Sequence, residues 1–264
     1  MGPPRLVATD LDGTLVRSDG TVSARSAAAL AAVSAAGIQT VVVTARPPRW
    51  LHDVEDVLGP HGIAVCGNGA FVYDVVGRRL LRQEGFDPTV LQAIVRDLRQ
   101  SVPGVVCAAE RGVGAWVEPD FPDRHGDAQA NEAIRRPLDE LDDEPVGKLL
   151  ALAPQVATDE LLTLVERIVG DRGVLAYSGA GGLAEVNPPG VTKAAGLARW
   201  CTDRDVMASD VWAFGDMPND LPMLQWAGVG VAVANAHVEV LAHADLVCPS
   251  NDDDGVAVVL ESLL

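Results

Sequence analysis

The sequence predicts an α/β protein, a doubly wound parallel sheet interrupted by a smaller α+β insert. Three observations lead there. Short apolar, β-branched runs alternate with helical stretches from Leu6 to about Leu81. That rhythm breaks near Glu84 and returns after Pro188-Pro189-Gly190. Several of the flanking strands run directly into acids or a hydroxyl, at the ends where open α/β sheets bind ligands.

The elements follow in order. Leu6–Thr9 is the first strand. Ser23–Ala36 is an Ala-rich helix, with Ser23 as N-cap and Gly37 as its stop. Ile38–Val43 is the continuous β-branched run of a central parallel strand. Pro47 and Pro48 open a helix that ends near Gly59, and Ile63–Val65 is a third strand. Phe71–Tyr73 and Arg79–Leu81 flank a glycine as a hairpin. In the insert, Asp87-Pro88 starts a helix to about Gln100. Strands follow at Val105–Ala108, Ala115–Val117 and Val146–Leu152, with a polar stretch from Glu118 to Gln129 between the last two. A helix at Thr158–Val169 and strands at Val174–Tyr177 and Leu183–Val186 complete a small antiparallel sheet with helices on one face. The first pattern then resumes with a helix near Thr192, strand Val211–Phe214, helix Pro218–Trp226, strand Val229–Val233 and a final helix from about Asp253. The expected division is a core at 1–82 and 189–264 and an insert at 83–188.

Composition narrows the functional classes. The 264 residues allow one large domain or two modest ones. The chain is 48% hydrophobic but 4% aromatic, so the core is built from Ala, Val and Leu. Its net charge of −17 argues against nucleic acid and anionic membranes as partners. An anionic substrate would need a cation concentrated at its site. Cys66, Cys107, Cys201 and Cys248 are dispersed without a CxxC pair, as free thiols of a reducing compartment are. No apolar run reaches the length of a membrane span, and Met1-Gly2-Pro3-Pro4-Arg5 lacks a signal pattern. A soluble cytoplasmic protein, monomer or homodimer, is expected.

Four clusters carry chemistry. Asp10-x-Asp12-Gly13-Thr14 ends the first strand, and alternation points Asp10 and Asp12 the same way. Two such carboxylates repel unless a cation, a shared proton or a division of roles compensates. Thr44-Ala45-Arg46 ends the central strand; the Thr44 hydroxyl suits either a phosphate oxygen or a helix cap. Lys193 opens a helix, an unfavourable place for a cation unless it is solvated or aimed at an anion. Gly215-Asp216-Met217-Pro218-Asn219-Asp220 ends another strand, and its acids suit either a helix N-terminus or a site. Together the set suits phosphoryl transfer with Mg²⁺, a hard cation that prefers carboxylates, water and phosphate oxygens. Asp10 and Asp216 are candidate ligands, with Asp220 direct or through water. Lys193, Thr44 and Asn219 can hold phosphoryl oxygens. A carboxylate is also a competent nucleophile toward phosphorus, and a second acid can serve as general acid and base.

These motifs, in this order, resemble the haloacid dehalogenase superfamily of phosphohydrolases, and within it the Cof-type sugar phosphatases with a class II cap inserted into a Rossmann-like core. Further matches are Cys66-Gly67-Asn68-Gly69-Ala70 and Asn251-Asp252-Asp253-Asp254-Gly255-Val256. The resemblance implies Asp10 as nucleophile and metal ligand, and Asp12 as general acid/base with its backbone carbonyl on the metal. It implies Thr44 and Lys193 on phosphate, Asp216 on Mg²⁺ with Asp220 supporting the metal shell, and Asn219 on the phosphoryl group. It also implies that Arg46 and Asn68 reach toward substrate, with Ala45 between Thr44 and Arg46 where glycine is commoner in the family. The implied partner is a small phosphorylated metabolite, a sugar phosphate or similar phosphomonoester. In the cap, Arg111, Trp116, Arg124, His125, Lys148, Glu185 and the Gly179–Gly182 loop are candidates for substrate contact. A sugar phosphomutase and a non-catalytic phosphate-sensing protein are the alternatives. A receiver domain would lack the DxDGT acid, and a glycosyltransferase would leave Lys193 and Asp216 unexplained.

Overall fold

A computed structural model describes residues 2–58, 62–122, 133–179 and 181–264. The first part of the chain forms β1 (Leu6–Thr9), α1 (Ala24–Ala35), β2 (Gln39–Val43), a short α2 (Glu55–Leu58), β3 (Ile63–Cys66), β4 (Phe71–Asp74) and β5 (Arg79–Gln83). The middle forms α3 (Pro88–Ser101), β6 (Val106–Arg111), β7 (Ala115–Val117), β8 (Ala133–Arg135), β9 (Val146–Leu152), α4 (Thr158–Val169), β10 (Val174–Ala176) and β11 (Leu183–Asn187). The last part forms α5 (Lys193–Thr202), β12 (Val211–Gly215), α6 (Leu221–Trp226), β13 (Val229–Val233), α7 (Val238–His243), β14 (Leu246–Cys248) and α8 (Gly255–Glu261).

Eight strands make one sheet in the order β14-β13-β12-β1-β2-β3-β4-β5. It is parallel from β14 to β3 and antiparallel through the β4–β5 hairpin. The chain leaves β1 for β2 on one side and returns at β12 on the other. The carboxyl ends of these three neighbours therefore flank a topological switch point. Leu6, Val43, Phe214 and Leu260 belong to the apolar cluster around this sheet.

Six strands make the second sheet, β10-β11-β9-β6-β7-β8. Its apolar cluster joins α3 and α4 through Ile94, Leu98, Leu149 and Leu161. Alternation along β9 sends Leu149 and Ala151 into that cluster and leaves Lys148 and Leu150 to the opposite face. The register extends this face across neighbouring strands, with Glu110 opposite Lys148 and Glu185 opposite Leu150.

Several expectations need adjustment. The segment after Pro47 is broken into 3₁₀ turns at Pro48–Trp50 and His52–Val54 before α2. The helix expected from Pro218 begins as a 3₁₀ turn, Pro218–Asp220, and α8 starts only after the left-handed Asp254. β8 pairs parallel with β7, so the smaller sheet is not wholly antiparallel. β8, α7 and β14 are short elements that the sequence pattern did not single out. Arg124 and His125 lie outside the described residues.

Candidate active site

β1, β2 and β12 deliver Asp10, Thr44 and Asp216 to neighbouring strand ends. Asp10 is buried, and its amide continues the sheet by donating to the Phe214 carbonyl at 3.0 Å. Gly13 then turns the chain at φ +82°, a left-handed conformation that suits glycine. A Cβ at this position would lie 2.4 Å from Asp216 Oδ2, so close approach requires glycine as well. Thr14 donates its hydroxyl to Asp216 Oδ1 at 2.8 Å.

Lys193 opens α5, where Thr192 caps the helix by accepting from the Ala195 amide. Its ammonium is buried rather than solvated, and donates to Asp10 Oδ1 at 2.8 Å and Asp220 Oδ1 at 2.7 Å. Asp220 is fully buried, and its other oxygen accepts from the Asp216 and Met217 amides at 3.1 and 3.0 Å. Burial alone would lower the lysine pKa; the two carboxylates reverse this and raise it. Desolvation pushes Asp10 well above the usual carboxylate range; Lys193 opposes this, whereas the charges of Asp220 and Asp216 add to it. Burial and then Asp220 raise Asp216 to about 6.

Carboxylate oxygens of Asp10, Asp216 and Asp220 lie within 4.8 Å of one another. Three acids around a single lysine leave surplus negative charge in a desolvated place. A hard divalent cation with oxygen ligands fits that donor set.

Asp12 follows a different path. The chain is no longer extended after Thr9, and the Asp12 side chain is 58% exposed, outside the buried acid group. Arg46 binds it with two bonds, Nε to Oδ2 at 2.8 Å and a terminal nitrogen to Oδ1 at 2.6 Å. Asp10, Asp12, Thr44, Ala45, Arg46, Lys193 and Asn219 nonetheless line one cavity of about 430 Å³. Thr44 is buried, and its Oγ1 accepts from the Arg46 amide at 3.1 Å. Ala45 is not among the described residues with positive φ, so alanine sits there without backbone strain.

Asn68 is the residue whose place departs furthest from expectation. It lies between Gly67 and Gly69 at φ 57°, buried and outside the lining of this cavity. Its Nδ2 donates to Glu185 Oε2 at 2.9 Å, and its Oδ1 accepts from Asn219 Nδ2 at 3.2 Å. It therefore bridges the two sheets. Lys148 does the same, donating to the Ala45 carbonyl at 2.7 Å and to Glu185 Oε2 at 3.0 Å. Burial would raise the Glu185 pKa, but Lys148, Ser178 and Asn68 together lower it. Arg111 and Trp116 do not line the cavity. Arg111 pairs with Asp142 and Glu144 and lies over the Trp116 ring. Sequence reasoning missed Glu110, Trp50 and Met217, which do line it. The one available signal for Trp50 was its place just after Thr44-Ala45-Arg46. The Asn251–Val256 motif is structural: Asn251 Nδ2 holds the Val16 carbonyl, and Asp252 and Asp254 bind Ser18 and Arg17 of the loop after β1.

Comparison with known proteins identifies the family. The profile of the haloacid dehalogenase-like hydrolases matches residues 7–260. The pyridoxal phosphate phosphatase YbhA of Escherichia coli (strain K12) is 28% identical over 98% of both chains. The HMP-PP phosphatase of Cronobacter sakazakii is 27% identical over 90% of this chain and 87% of its own. Among solved structures, BT1666 of Bacteroides thetaiotaomicron superposes with a TM-score of 0.81 at 25% identity, covering 99% of this chain and 95% of its own. With a match across nearly its whole length and the acid, hydroxyl and lysine groups assembled at three adjacent strand ends, this chain belongs to the haloacid dehalogenase-like hydrolases.

Proposed function

We propose that this protein is a Mg²⁺-dependent phosphatase that hydrolyses a small phosphorylated metabolite, a sugar phosphate or similar phosphomonoester, through an aspartyl-phosphate. Its class as a phosphomonoester hydrolase follows from the family and from the phosphatases among its relatives. The observation that carries the mechanism is Asp10, buried at a strand end, 2.8 Å from Lys193 Nζ and facing the cavity.

Asp10 attacks phosphorus while the bond to the leaving oxygen breaks. Asp12, exposed at the same cavity, gives its proton to the leaving alkoxide and later takes one from the water that attacks the phospho-aspartate. That water supplies the oxygen of inorganic phosphate, and Asp10 is regenerated as a carboxylate. Lys193 holds Asp10 in place, and Thr44 and Asn219 bind the phosphoryl oxygens. Asp10, Asp216 and Asp220, with the Asp12 carbonyl, would hold Mg²⁺. When bound, the cation neutralises the acids and draws charge from the phosphoryl oxygens. We assign 1–82 and 189–264 to the catalytic core and 83–188 to a cap that selects the substrate. Four buried free thiols and the lack, among the described residues, of a helix long and apolar enough to cross a membrane support a cytoplasmic location.

The test is release of inorganic phosphate from a panel of phosphorylated metabolites and one aryl phosphate. Asp10→Asn should lower turnover on the order of 10³-fold or more with an unchanged circular dichroism spectrum. EDTA should stop the wild-type reaction and Mg²⁺ restore it. Metal-independent turnover, or an active Asp10→Asn variant, would sink the mechanism.

A further inference from the structure

Beyond Asp10 and Lys193, the cations in the cavity wall, and Arg49 behind it, already have carboxylates. Arg46 is bound at two points by Asp12. Glu110, which lines the cavity, is bound at two points by Arg49, with nitrogen–oxygen distances of 3.1 and 2.7 Å. Lys148 is bound by Glu185 at 3.0 Å and spends a second N–H on the Ala45 carbonyl. Both of these pairs are buried, the first joining Arg49 of the larger unit to Glu110 and the second lying wholly within the smaller sheet. Three of these groups, Glu110, Lys148 and Glu185, stand on the same face of the smaller sheet.

We propose that these matched pairs make the enzyme selective for phosphomonoesters whose leaving group carries no second anion, with Glu110 and Glu185 as the specificity-determining residues. This rests on the phosphatase reading above. An anion entering this wall gives up its water and meets cations already committed to carboxylates. To recruit Arg49 or Lys148 it must displace Glu110 or Glu185, leaving a buried carboxylate uncompensated. A neutral hydroxyl or carbonyl oxygen pays no such penalty. It can take the third N–H of Lys148, because an ammonium has three donors and two are used. The reacting phosphoryl group is served by different groups, Thr44 and Asn219 beside Asp10 and Lys193, with the cation that the three acids would hold. Selection against the wrong leaving group is thus built from charge already satisfied, rather than from an added contact to the right one.

Two esters of nearly equal shape separate the possibilities, 4-carbamoylphenyl phosphate and 4-carboxyphenyl phosphate. Wild-type kcat/KM should favour the neutral ester by about tenfold or more, and fructose 6-phosphate should be preferred over fructose 1,6-bisphosphate in the same sense. Glu110→Gln and Glu185→Gln each remove the carboxylate charge facing one cation, and each should shrink the carbamoyl-to-carboxyl ratio by about tenfold. The ratio is taken within one preparation, so a partly folded variant does not distort it. Equal turnover of the two aryl esters by wild type, or a ratio unmoved in both variants, overturns the proposal. Absence of phosphate release from both aryl esters, from fructose 6-phosphate and from the metabolite panel overturns the phosphatase reading instead.

Discussion

Gly13 shows how a single position can serve two constraints. Its positive φ excludes comfortable occupancy by other residues, and its missing Cβ leaves room for Asp216 Oδ2. Alanine here would meet strain of about 1–2 kcal/mol from the backbone alone. It would also push Asp216 away from Thr14 and from the other two acids. Gly13→Ala should therefore lose activity by about 10²-fold, as a displacement of about 1 Å in a catalytic group can cause, and its apparent affinity for Mg²⁺ should fall. Steady-state rates over a Mg²⁺ titration read both effects. A variant with an unchanged metal requirement would show that Asp216 tolerates the displacement. Asp10 and Asp12 teach a related lesson. Two residues apart, they experience opposite environments: one is buried against a lysine, the other exposed against an arginine.

At the scale of elements, the seam between the two sheets depends on β9, β11 and the turn after β3. Gly147 on β9 packs so closely that a Cβ there would lie 2.4 Å from the Phe71 ring. Asn187, ending β11, donates to the Gly67 carbonyl at 2.8 Å and the Gly147 carbonyl at 3.0 Å. This one amide ties both sheets to the loop that presents Asn68. Asn187→Ala would leave two buried carbonyls without that donor, a loss of about 1–3 kcal/mol. Urea denaturation should show the lower stability. Because the seam places Lys148 and Glu185, KM should rise by a larger factor than kcat falls. An effect confined to kcat would place Asn187 in the chemistry instead. Much of this level was legible. The β-branched run became β2, and the Ser23 cap and Thr158–Val169 helix stand where the pattern put them. The shorter β8, α7 and β14 were not, because a few residues carry too little periodicity to distinguish them from loop.

Across the whole molecule, a net charge of −17 surrounds a buried acid group in which desolvation and then neighbouring carboxylates hold protons on Asp10 and Asp216. Asp216 moves from 3.8 to about 6. A carboxyl with a raised folded pKa contributes stability that is fully present below its unfolded pKa. That contribution is lost as pH rises from about 4 through about 6. Asp10 shifts in the same direction. The metal-free protein should therefore lose stability across that window. Mg²⁺ requires the ionised acids, so the rise in Tm that it causes should be larger near pH 7.5 than near pH 5. Thermal unfolding of EDTA-treated protein with and without Mg²⁺ at both values is the measurement. An equal shift at both would mean that Mg²⁺ does not bind at these carboxylates.

The sequence by itself determined the alternation of elements, the family to which the chain belongs and the order of Asp10, Thr44, Lys193 and Asp216 along it. These are local signals: apolar runs, caps, and acids and hydroxyls at strand ends. Only the tertiary structure decided which partners those groups meet. Lys193, ambiguous on its helix, is buried between Asp10 and Asp220. Asn68 turns toward Glu185, and Glu110 reaches the cavity from a strand where its charge alone gave no signal. The physical reason is range. Propensity and periodicity act over a few residues, whereas charge balance in a cavity depends on which strands and loops the fold brings face to face.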